Sequence, residues 1–531
     1  MRTFRDRIFS REIIFLVVIL LASLIIRWRD IENIPYGVEN DEFSWIATSL
    51  FHQNNIVASE KGIWSLHDTN AQRFPVSVAI NQISFKLFGI DFLSPRKILI
   101  LIHIISLIFF YLLARKFITN NAALLVTLLY SFSVYKLIAS RIVIPNFFSE
   151  LFVYPVLLLL LSINPKNLIR NFIYTFISGI SMFLSILTYN LAYMLPFVSI
   201  ATILFTAVIK KISIKTTILL IILFLLPLIL FYQKWLIEIN GEAADKSYAL
   251  VNIAYDLKEK KIYIDRFIKN INAVKDSLFI SLRYSTNDMV VSFPGPLVNK
   301  WVSLGFLLGM IFALFNLKKY FTLVAWILIS SFTYHIIIGL LYPRWWILTV
   351  GIIYLFFGIA IDKICELGSK KKLVYLLIWI TVLILSSYVI YKDLFIYYKH
   401  AVYNSAFLGP HRELVDITEK WKNDLGKRLL VIIPNSSPTN VNTAYTAVSF
   451  NYISLKPEQA IHLKNANRTE LGVLTDQEFI QKYKMYLVTK KTFIIDNRVI
   501  PEIKNLIKEN HLCNNVINTH QYFTEINLIC K

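Results

Sequence analysis

The stretch ILILIHIISLIFFYLL, residues 98–113, decides the fold class, because it contains no aspartate, glutamate, lysine or arginine. Similar runs, almost without charge, follow at Phe147–Leu161 and Ile218–Phe231. With its flanks, each run approaches the roughly 17–25 apolar residues that a membrane span needs. Backbone polar groups inside a bilayer must bond within their own segment, so we expect helices. The sequence therefore predicts a polytopic α-helical membrane protein.

Composition supports this class and limits the partners. The 531 residues are 56% hydrophobic, mean hydropathy is +0.56, and the formal net charge is +21. Lysine and arginine lie at the ends of the apolar runs and form no single soluble patch. This distribution favours contact with membrane lipids and argues against a nucleic-acid partner.

We predict about eleven membrane spans from the apolar runs. Their approximate ranges are 13–27, 98–114, 122–139, 147–162, 172–189, 191–209, 216–233, 300–316, 321–341, 345–361 and 373–391. With the N-terminus in the cytoplasm, every predicted inner loop is basic, as the positive-inside rule requires. The predicted protein is thus a multi-pass protein of the cell (plasma or inner) membrane with its C-terminal region outside.

Three regions are predicted on the outer side. Residues 28–97 hold two amphipathic segments, Trp45–Phe51 and Val76–Phe88, which are typical of interfacial helices. Residues 233–299 form a long outer loop, for which we favour a partly ordered, functional structure.

Residues 1–391 would then be the transmembrane domain and 392–531 a small α/β domain. The tail is predicted to have strands at Leu429–Ile433, Met485–Thr489 and Thr492–Ile495, and helices at Thr443–Tyr452 and Pro501–Glu509.

Two of the three cysteines, Cys513 and Cys530, lie in this outer tail. An oxidising compartment permits a disulfide between them, but spacing alone leaves the pairing open.

The acidic cluster Glu39-Asn40-Asp41-Glu42 follows the first span closely. Charged groups near the bilayer are costly unless they face water or a partner. The cluster is therefore either a solvated loop or half of a reactive site on the outer face.

Four blocks decide between these alternatives. The pair Asp41-Glu42 precedes an aromatic residue and a helix with small residues, Phe43–Ala47. The other blocks are Arg73-Phe74-Pro75 with Leu87-Phe88-Gly89 and Arg96, then Ala139-Ser140-Arg141, then Pro343-Arg344-Trp345-Trp346. These blocks follow the order found in the GT-C superfamily of membrane glycosyltransferases, and all are predicted on one face of the membrane. Residues 1–391 therefore resemble that superfamily. The resemblance is to the branch of the protein O-mannosyltransferases and the lipid A aminoarabinose transferase.

The resemblance implies transfer of a sugar from a polyprenyl-phosphate donor to a lipid, glycan or protein hydroxyl. Asp41 would accept the hydroxyl proton, with Glu42 as its partner or as a ligand. Arg73, Arg96, Arg141 and Arg344 would bind the donor phosphate, since the guanidinium is planar and always charged. The alternative for each arginine is snorkelling to lipid headgroups. The sequence leaves the donor sugar, the acceptor and the need for a divalent metal open.

This chain departs from its relatives at two places. Several relatives carry an acid shortly after the third block, where this chain has Asn146 and, further on, Glu150. Relatives often carry a lysine where this chain has Thr188-Tyr189-Asn190. Within the spans, Lys136 is expected to snorkel outward, and His103 is expected to be a core residue.

Two other classes of function stay open. One is a transporter or flippase for lipid-linked glycans, which would favour inverted repeats and polar residues at mid-membrane. The other is a non-catalytic scaffold whose tail binds a partner.

Overall fold

The computed structural model describes the helices of the chain and part of its tail. The described residues are 11–31, 42, 45–46, 48–50, 74–91, 93–239, 260–279, 297–331, 346–369, 371–403, 413–414, 417–418, 420, 429–433, 473–475, 477–481, 492–496, 503, 513–519 and 523–530. The chain divides into two compact units. One comprises Met1–Ile34, Gln72–Ser77 and Arg96–Tyr403, and the other comprises Pro35–Ala71, Val78–Pro95 and Asn404–Lys531.

Helices make up the described part of the first unit, and most of them coincide with the predicted spans. In chain order the main helices among the described residues are α1 Arg11–Trp28, α2 Pro75–Phe88, α3 Ser94–Ala114, α4 Asn120–Ser131, α5 Val134–Ala139, α6 Pro145–Phe148, α7 Glu150–Leu161, α8 Leu168–Thr188, α9 Leu195–Ile209, α10 Ile214–Ile239, α11 Lys260–Phe279, α12 Lys300–Phe315, α13 Leu317–Ser330, α14 Ile347–Gly368 and α15 Lys372–Tyr403. A 3₁₀ helix, Asn190–Met194, joins α8 to α9. Helix α11 falls within the predicted outer loop 233–299, and so gives that loop regular structure.

Five helical segments in the described residues are long and apolar enough to cross a membrane. They are Ser94–Ala114, Leu168–Thr188, Ala192–Ile209, Ile347–Gly368 and Lys372–Lys399. Three shorter apolar helical segments are Pro145–Leu161, Ile214–Leu230 and Lys300–Phe315. The number of eleven spans stays a prediction, whereas the polytopic helical class agrees with this architecture.

Two predicted spans are interrupted, and the breaks position polar side chains inside the bundle. Span 122–139 is divided into α4 and α5 because Ser133 begins a new helix, its Oγ accepting a hydrogen bond from the Lys136 N–H at 3.2 Å. Span 147–162 is divided at Ser149, after a single turn that begins with Pro145. The capping serine explains the first break. Pro145 explains where the single turn before the second break begins, whereas Ser149 makes no side-chain capping bond.

Glycines allow two pairs of helices to approach closely. A Cβ on Gly309 of α12 would lie 1.8 Å from the Phe356 carbonyl oxygen of α14. A Cβ on Gly179 of α8 would lie 2.3 Å from the Phe224 carbonyl oxygen of α10. Small residues at such crossings are common in membrane bundles, where backbone packing contributes much of the association energy.

The second unit contains most of the predicted interfacial segments. Glu42, Trp45, Ile46 and Thr48–Leu50 are helical. Asn81 of α2 donates to Ser49 Oγ at 3.0 Å, and Ser49 Oγ donates to the Trp45 carbonyl at 2.8 Å. Helix α2 matches the predicted segment Val76–Phe88, while its location at a membrane interface stays a prediction.

The tail contributes a five-stranded sheet in the order β2-β1-β3-β5-β4. The strands are β1 Leu429–Ile433, β2 Val473–Thr475, β3 Thr492–Asp496, β4 Cys513–Thr519 and β5 Phe523–Cys530. Strand β1 pairs in parallel with β2 and β3, and β5 pairs antiparallel with β3 and β4. The predicted strands at 429–433 and 492–495 are thus present. Predicted segments 443–452 and 485–489 lie outside the described residues, as does 501–509 except for the helical residue Ile503.

Candidate functional site

Three of the six predicted site residues lie within the described part of the chain. They are Glu42, Arg96 and Arg141, and all three side chains are buried, with at most 1% exposure. Asp41, Arg73 and Arg344 lie outside the described residues. All three side chains are thus packed among protein groups, while their roles stay predictions.

Glu42 is a helical residue of the second unit and is fully buried. A buried carboxylate is stable only with hydrogen-bonding or charged partners, and Glu42 has such an interaction. This excludes the solvated-loop alternative for Glu42. Asp41, the preceding residue, lies outside the described residues, and its role as the general base stays a prediction.

Arg141 lies in the turn after α5 and binds the C-terminal end of α1. Its Nε donates to the Arg27 carbonyl at 3.0 Å, and its Nη2 donates to the Ile26 carbonyl at 2.8 Å and to the Arg29 carbonyl. The last carbonyls of a helix have no partner within the helix and carry partial negative charge. Arg141 therefore provides donors for carbonyl groups at the end of α1, and burial lowers the pKa of its guanidinium.

Arg27 of α1 makes the reciprocal connection and was missed by the sequence analysis. Its Nε donates to Ser140 Oγ at 3.0 Å and its Nη2 to the Ser131 carbonyl at 2.6 Å. A third bond joins Arg27 to the hydroxyl of Ser23, one turn earlier on the same helix. Its signal in the sequence is an arginine in the last turn of an apolar run, a position that by itself marks only a span boundary.

Arg96, in the first turn of α3, is 1% exposed. Its charge contributes to lowering the pKa of Arg141, after the larger effect of burial, so the two guanidinium groups are within electrostatic range. The Arg141 guanidinium also lies 5.5 Å from the ring centroid of Tyr397 on α15. Two of the four predicted phosphate-binding arginines are thus brought to one region of the bundle.

The second sequence block meets the end of α8. The Phe74 ring, next to Arg73 in sequence, lies 4.8 Å from the Tyr189 ring. The hydroxyl of Ser77 donates to the Thr188 carbonyl at 2.8 Å. The second block therefore contacts Thr188 and Tyr189, which lie more than 100 residues away in sequence.

A buried polar network fills the space between α3, α4, α5 and α7. Lys136 Nζ and Tyr130 OH both donate to the carboxylate of Glu150, and Tyr154 OH donates to it at 3.1 Å. His103 Nδ1 lies 3.4 Å from the same carboxylate. The expectation that Lys136 snorkels outward is wrong: it is fully buried because Glu150 offers it a partner inside the bundle. His103 is a buried core residue, as expected.

A cavity of about 370 Å³ opens between the start of α12 and the end of α15. Its walls include Trp301, Tyr388, Lys392 and the buried carboxyl group of Asp393, which accepts a hydrogen bond from Asn299 Nδ2 at 3.3 Å. The predicted topology puts this end of the helices on the outer side.

The described residues contain no group of three or more histidine, cysteine or acidic side chains that could hold a metal ion. Asp41 lies outside those residues, so the metal requirement stays open.

Comparison with known proteins identifies the fold. No family model matches the chain, and no curated protein sequence matches it. Among solved structures, ArnT from Cupriavidus metallidurans bound to undecaprenyl phosphate is similar with 12% identity and a TM-score of 0.56, covering 96% of this chain and 97% of ArnT. The oligosaccharyltransferase AglB from Archaeoglobus fulgidus, in complex with an inhibitory peptide and a dolichol-phosphate, has 11% identity and a TM-score of 0.56. It covers 100% of this chain and 75% of AglB. The chain therefore shares its fold with these two proteins over nearly its whole length, in agreement with the resemblance expected from the four blocks.

Proposed function

We propose that this chain is a membrane glycosyltransferase that moves a sugar from a polyprenyl-phosphate donor to a hydroxyl group. The acceptor is a lipid, a glycan or a protein on the outer face of the membrane. The observation that carries the proposal is the fold match along nearly the whole chain to two transferases, whose structures hold undecaprenyl phosphate and a dolichol-phosphate. A fold alone does not define a function, so the site residues have to supply the chemistry.

The acceptor hydroxyl loses its proton as its oxygen attacks the anomeric carbon of the donor. In the proposed step the Asp41 carboxylate accepts that proton while the new carbon–oxygen bond forms. The bond between the anomeric carbon and the phosphate oxygen breaks, and its electron pair leaves with the polyprenyl phosphate. Positioned bases of this kind contribute about 10²–10⁴-fold in rate. The burial of Glu42 supports a partnered carboxylate beside Asp41.

The leaving phosphate needs cations that stabilise its charge. We propose that Arg73, Arg96, Arg141 and Arg344 supply them. The closeness of Arg96 and Arg141 supports this, since two buried guanidinium groups in one region favour an anion nearby. The bonds from Arg141 to the end of α1 support a second function for that residue, which is to anchor the helix end next to the site.

The experiment compares cell-envelope glycans by mass analysis in cells with and without the chain. We expect a sugar-sized mass difference that wild-type protein restores. Asp41→Asn should reduce restoration by about 10²–10⁴-fold in transfer rate while expression and membrane insertion persist. The matched control is Glu366→Gln, which removes an acid with a 65% exposed side chain at the predicted cytoplasmic end of α14.

Each result bears on a different part of the proposal. A deletion strain with unchanged glycans would contradict the enzyme proposal. Full restoration by Asp41→Asn would contradict the assignment of the base alone. A flippase would move the lipid-linked glycan with its phosphate bond intact. Release of free polyprenyl phosphate by purified protein in proteoliposomes therefore separates transfer from transport.

A further inference from the structure

A second polar cavity, of about 520 Å³, lies at the opposite end of the bundle from Arg27 and Arg141. It is formed by the turn after α3, the loop between α7 and α8, the first turns of α8 and the end of α9. Three cationic side chains converge on it: Lys116, Arg170 and Lys210. The positive-inside rule places this end of the helices in the cytoplasm.

The charge of this cavity is not neutralised by its walls. Among the described residues that line it, none is acidic. Burial lowers the pKa of Lys116, and the nearby charges of Arg170 and Arg115 lower it further. Burial likewise lowers the pKa of Lys210, with further lowering by Lys116 and Arg170. The three cations are thus close enough to repel one another, and an anion between them would relieve that repulsion.

The donors of the cavity are available to an anion. The Arg170 Nε is buried and has no hydrogen-bond partner among the described residues. Lys210 uses one of its N–H groups on the Ile163 carbonyl, which leaves two for a ligand. Helix α8 contributes Arg170 and Tyr174 to the lining from its first two turns. A buried donor without an acceptor is costly, and a phosphate oxygen would satisfy it.

A neighbouring cavity of about 400 Å³ indicates what kind of anion fits. It shares Lys116, Ser162 and Tyr174 with the first. Its other walls are the apolar residues Leu112, Leu158 and Leu159, with Arg115 at one side. The adjoining face of α8 is apolar and open, since Ile169 is 74% and Ile173 is 52% exposed. A phosphate site that continues into an apolar groove between apolar helices matches a phospholipid. A free phosphate ion would leave the groove unused.

We propose that Lys116, Arg170 and Lys210 form a binding site for the phosphate headgroup of an anionic phospholipid of the cytoplasmic leaflet, with an acyl chain lying along Leu112, Leu158 and Leu159. Basic pockets between helices on the cytoplasmic side are suited to anionic headgroups, and the leaflet they face is rich in them. The site belongs to the first unit, and it shares no residue with those assigned to the proposed transfer reaction.

The test is native mass spectrometry of the full chain released from nanodiscs that contain phosphatidylglycerol and phosphatidylcholine. We expect wild-type protein to retain phosphatidylglycerol in preference to phosphatidylcholine. Arg170→Gln and Lys210→Gln, tested singly, should each reduce that retention about tenfold. The matched control is Lys166→Gln, an exposed lysine on the same loop that does not line the cavity.

Competition separates the lipid from a free anion. Added sodium phosphate at millimolar concentration should not displace the lipid. Displacement by phosphate alone would overturn the lipid assignment in favour of a free-anion site. Equal retention of phosphatidylglycerol by wild type, Arg170→Gln and Lys210→Gln would overturn the site itself. Arg170→Lys preserves the charge at this position. It should retain more phosphatidylglycerol than Arg170→Gln.

Discussion

Lys136 and Glu150 form an ion pair in the interior of the helix bundle, where neither side chain is more than 1% exposed. The Glu150 carboxylate has three further neighbours. Tyr130 and Tyr154 donate hydrogen bonds to it, and His103 lies beside it. The pair joins α5 to α7, the two helices that begin after the breaks in the predicted spans. Ionisable groups inside a membrane are costly, so such a pair persists only when its charges and hydrogen bonds are well matched.

Breaking this pair should be strongly destabilising. Glu150→Gln leaves Lys136 buried without its counter-charge. Lys136→Met likewise leaves the Glu150 carboxylate buried without a counter-charge. We expect each to cost about 3–5 kcal/mol in the free energy of unfolding. The measurement is the thermal unfolding midpoint of the detergent-solubilised protein, followed by tryptophan fluorescence.

Two comparisons make this prediction specific. The double variant Lys136→Met/Glu150→Gln removes both charges and should be less destabilised than either single variant. Lys363→Met breaks the exposed pair with Glu366, whose atoms lie 2.5 Å apart, and should cost about 0–1 kcal/mol. Single variants as stable as Lys363→Met would contradict the buried pair.

The sequence identified the helical class and most apolar helices, because long apolar runs have one solution in a membrane. It did not identify the partner of Lys136, because Glu150 approaches it only after the chain turns at Arg141 and begins a new helix at Pro145. The same limit applies to Arg27 and Arg141, whose acceptors are backbone carbonyls on distant elements. Strands β1 and β3 were predicted from buried apolar residues. Strand β4 was not, since CNNVINT alternates poorly and is rich in asparagine.

Replacing Arg141 by alanine should reduce stability as well as any activity. The change leaves the carbonyls of Ile26, Arg27 and Arg29 without their donor, and each buried unsatisfied group costs about 1–3 kcal/mol. Arg29→Ala is the control, because its side chain is 72% exposed and reaches only Asp30 among the described ion pairs. If Arg141→Ala unfolds at the same temperature as Arg29→Ala, the bonds to the end of α1 contribute little. A rise in donor KM without loss of stability would then favour phosphate contact alone.

The register of the β-hairpin places Cys513 directly opposite Cys530. Residues opposite each other on antiparallel strands have Cα atoms about 4.5–5.5 Å apart, which lies within the range that disulfides span. We therefore expect a disulfide in protein whose tail has reached an oxidising compartment. Alkylation after unfolding should label one thiol, Cys365, without reduction and all three cysteines after reduction. Three labelled thiols without reduction would contradict the pairing.

The approach of α12 to α14 predicts a ranking between two glycines one turn apart. Gly309→Ala would place a methyl group against the Phe356 carbonyl oxygen, and a helix backbone cannot move out of the way alone. Gly305→Ala would place it against the Phe357 ring, a half-buried side chain that can rotate. Overpacking lowers the free energy of unfolding by about 1–3 kcal/mol. We expect a loss of about 3 kcal/mol or more for Gly309→Ala and of about 1 kcal/mol or less for Gly305→Ala. The measurement is the thermal unfolding midpoint of each variant. A lower midpoint for Gly305→Ala than for Gly309→Ala would mean that the two helices separate here at little cost.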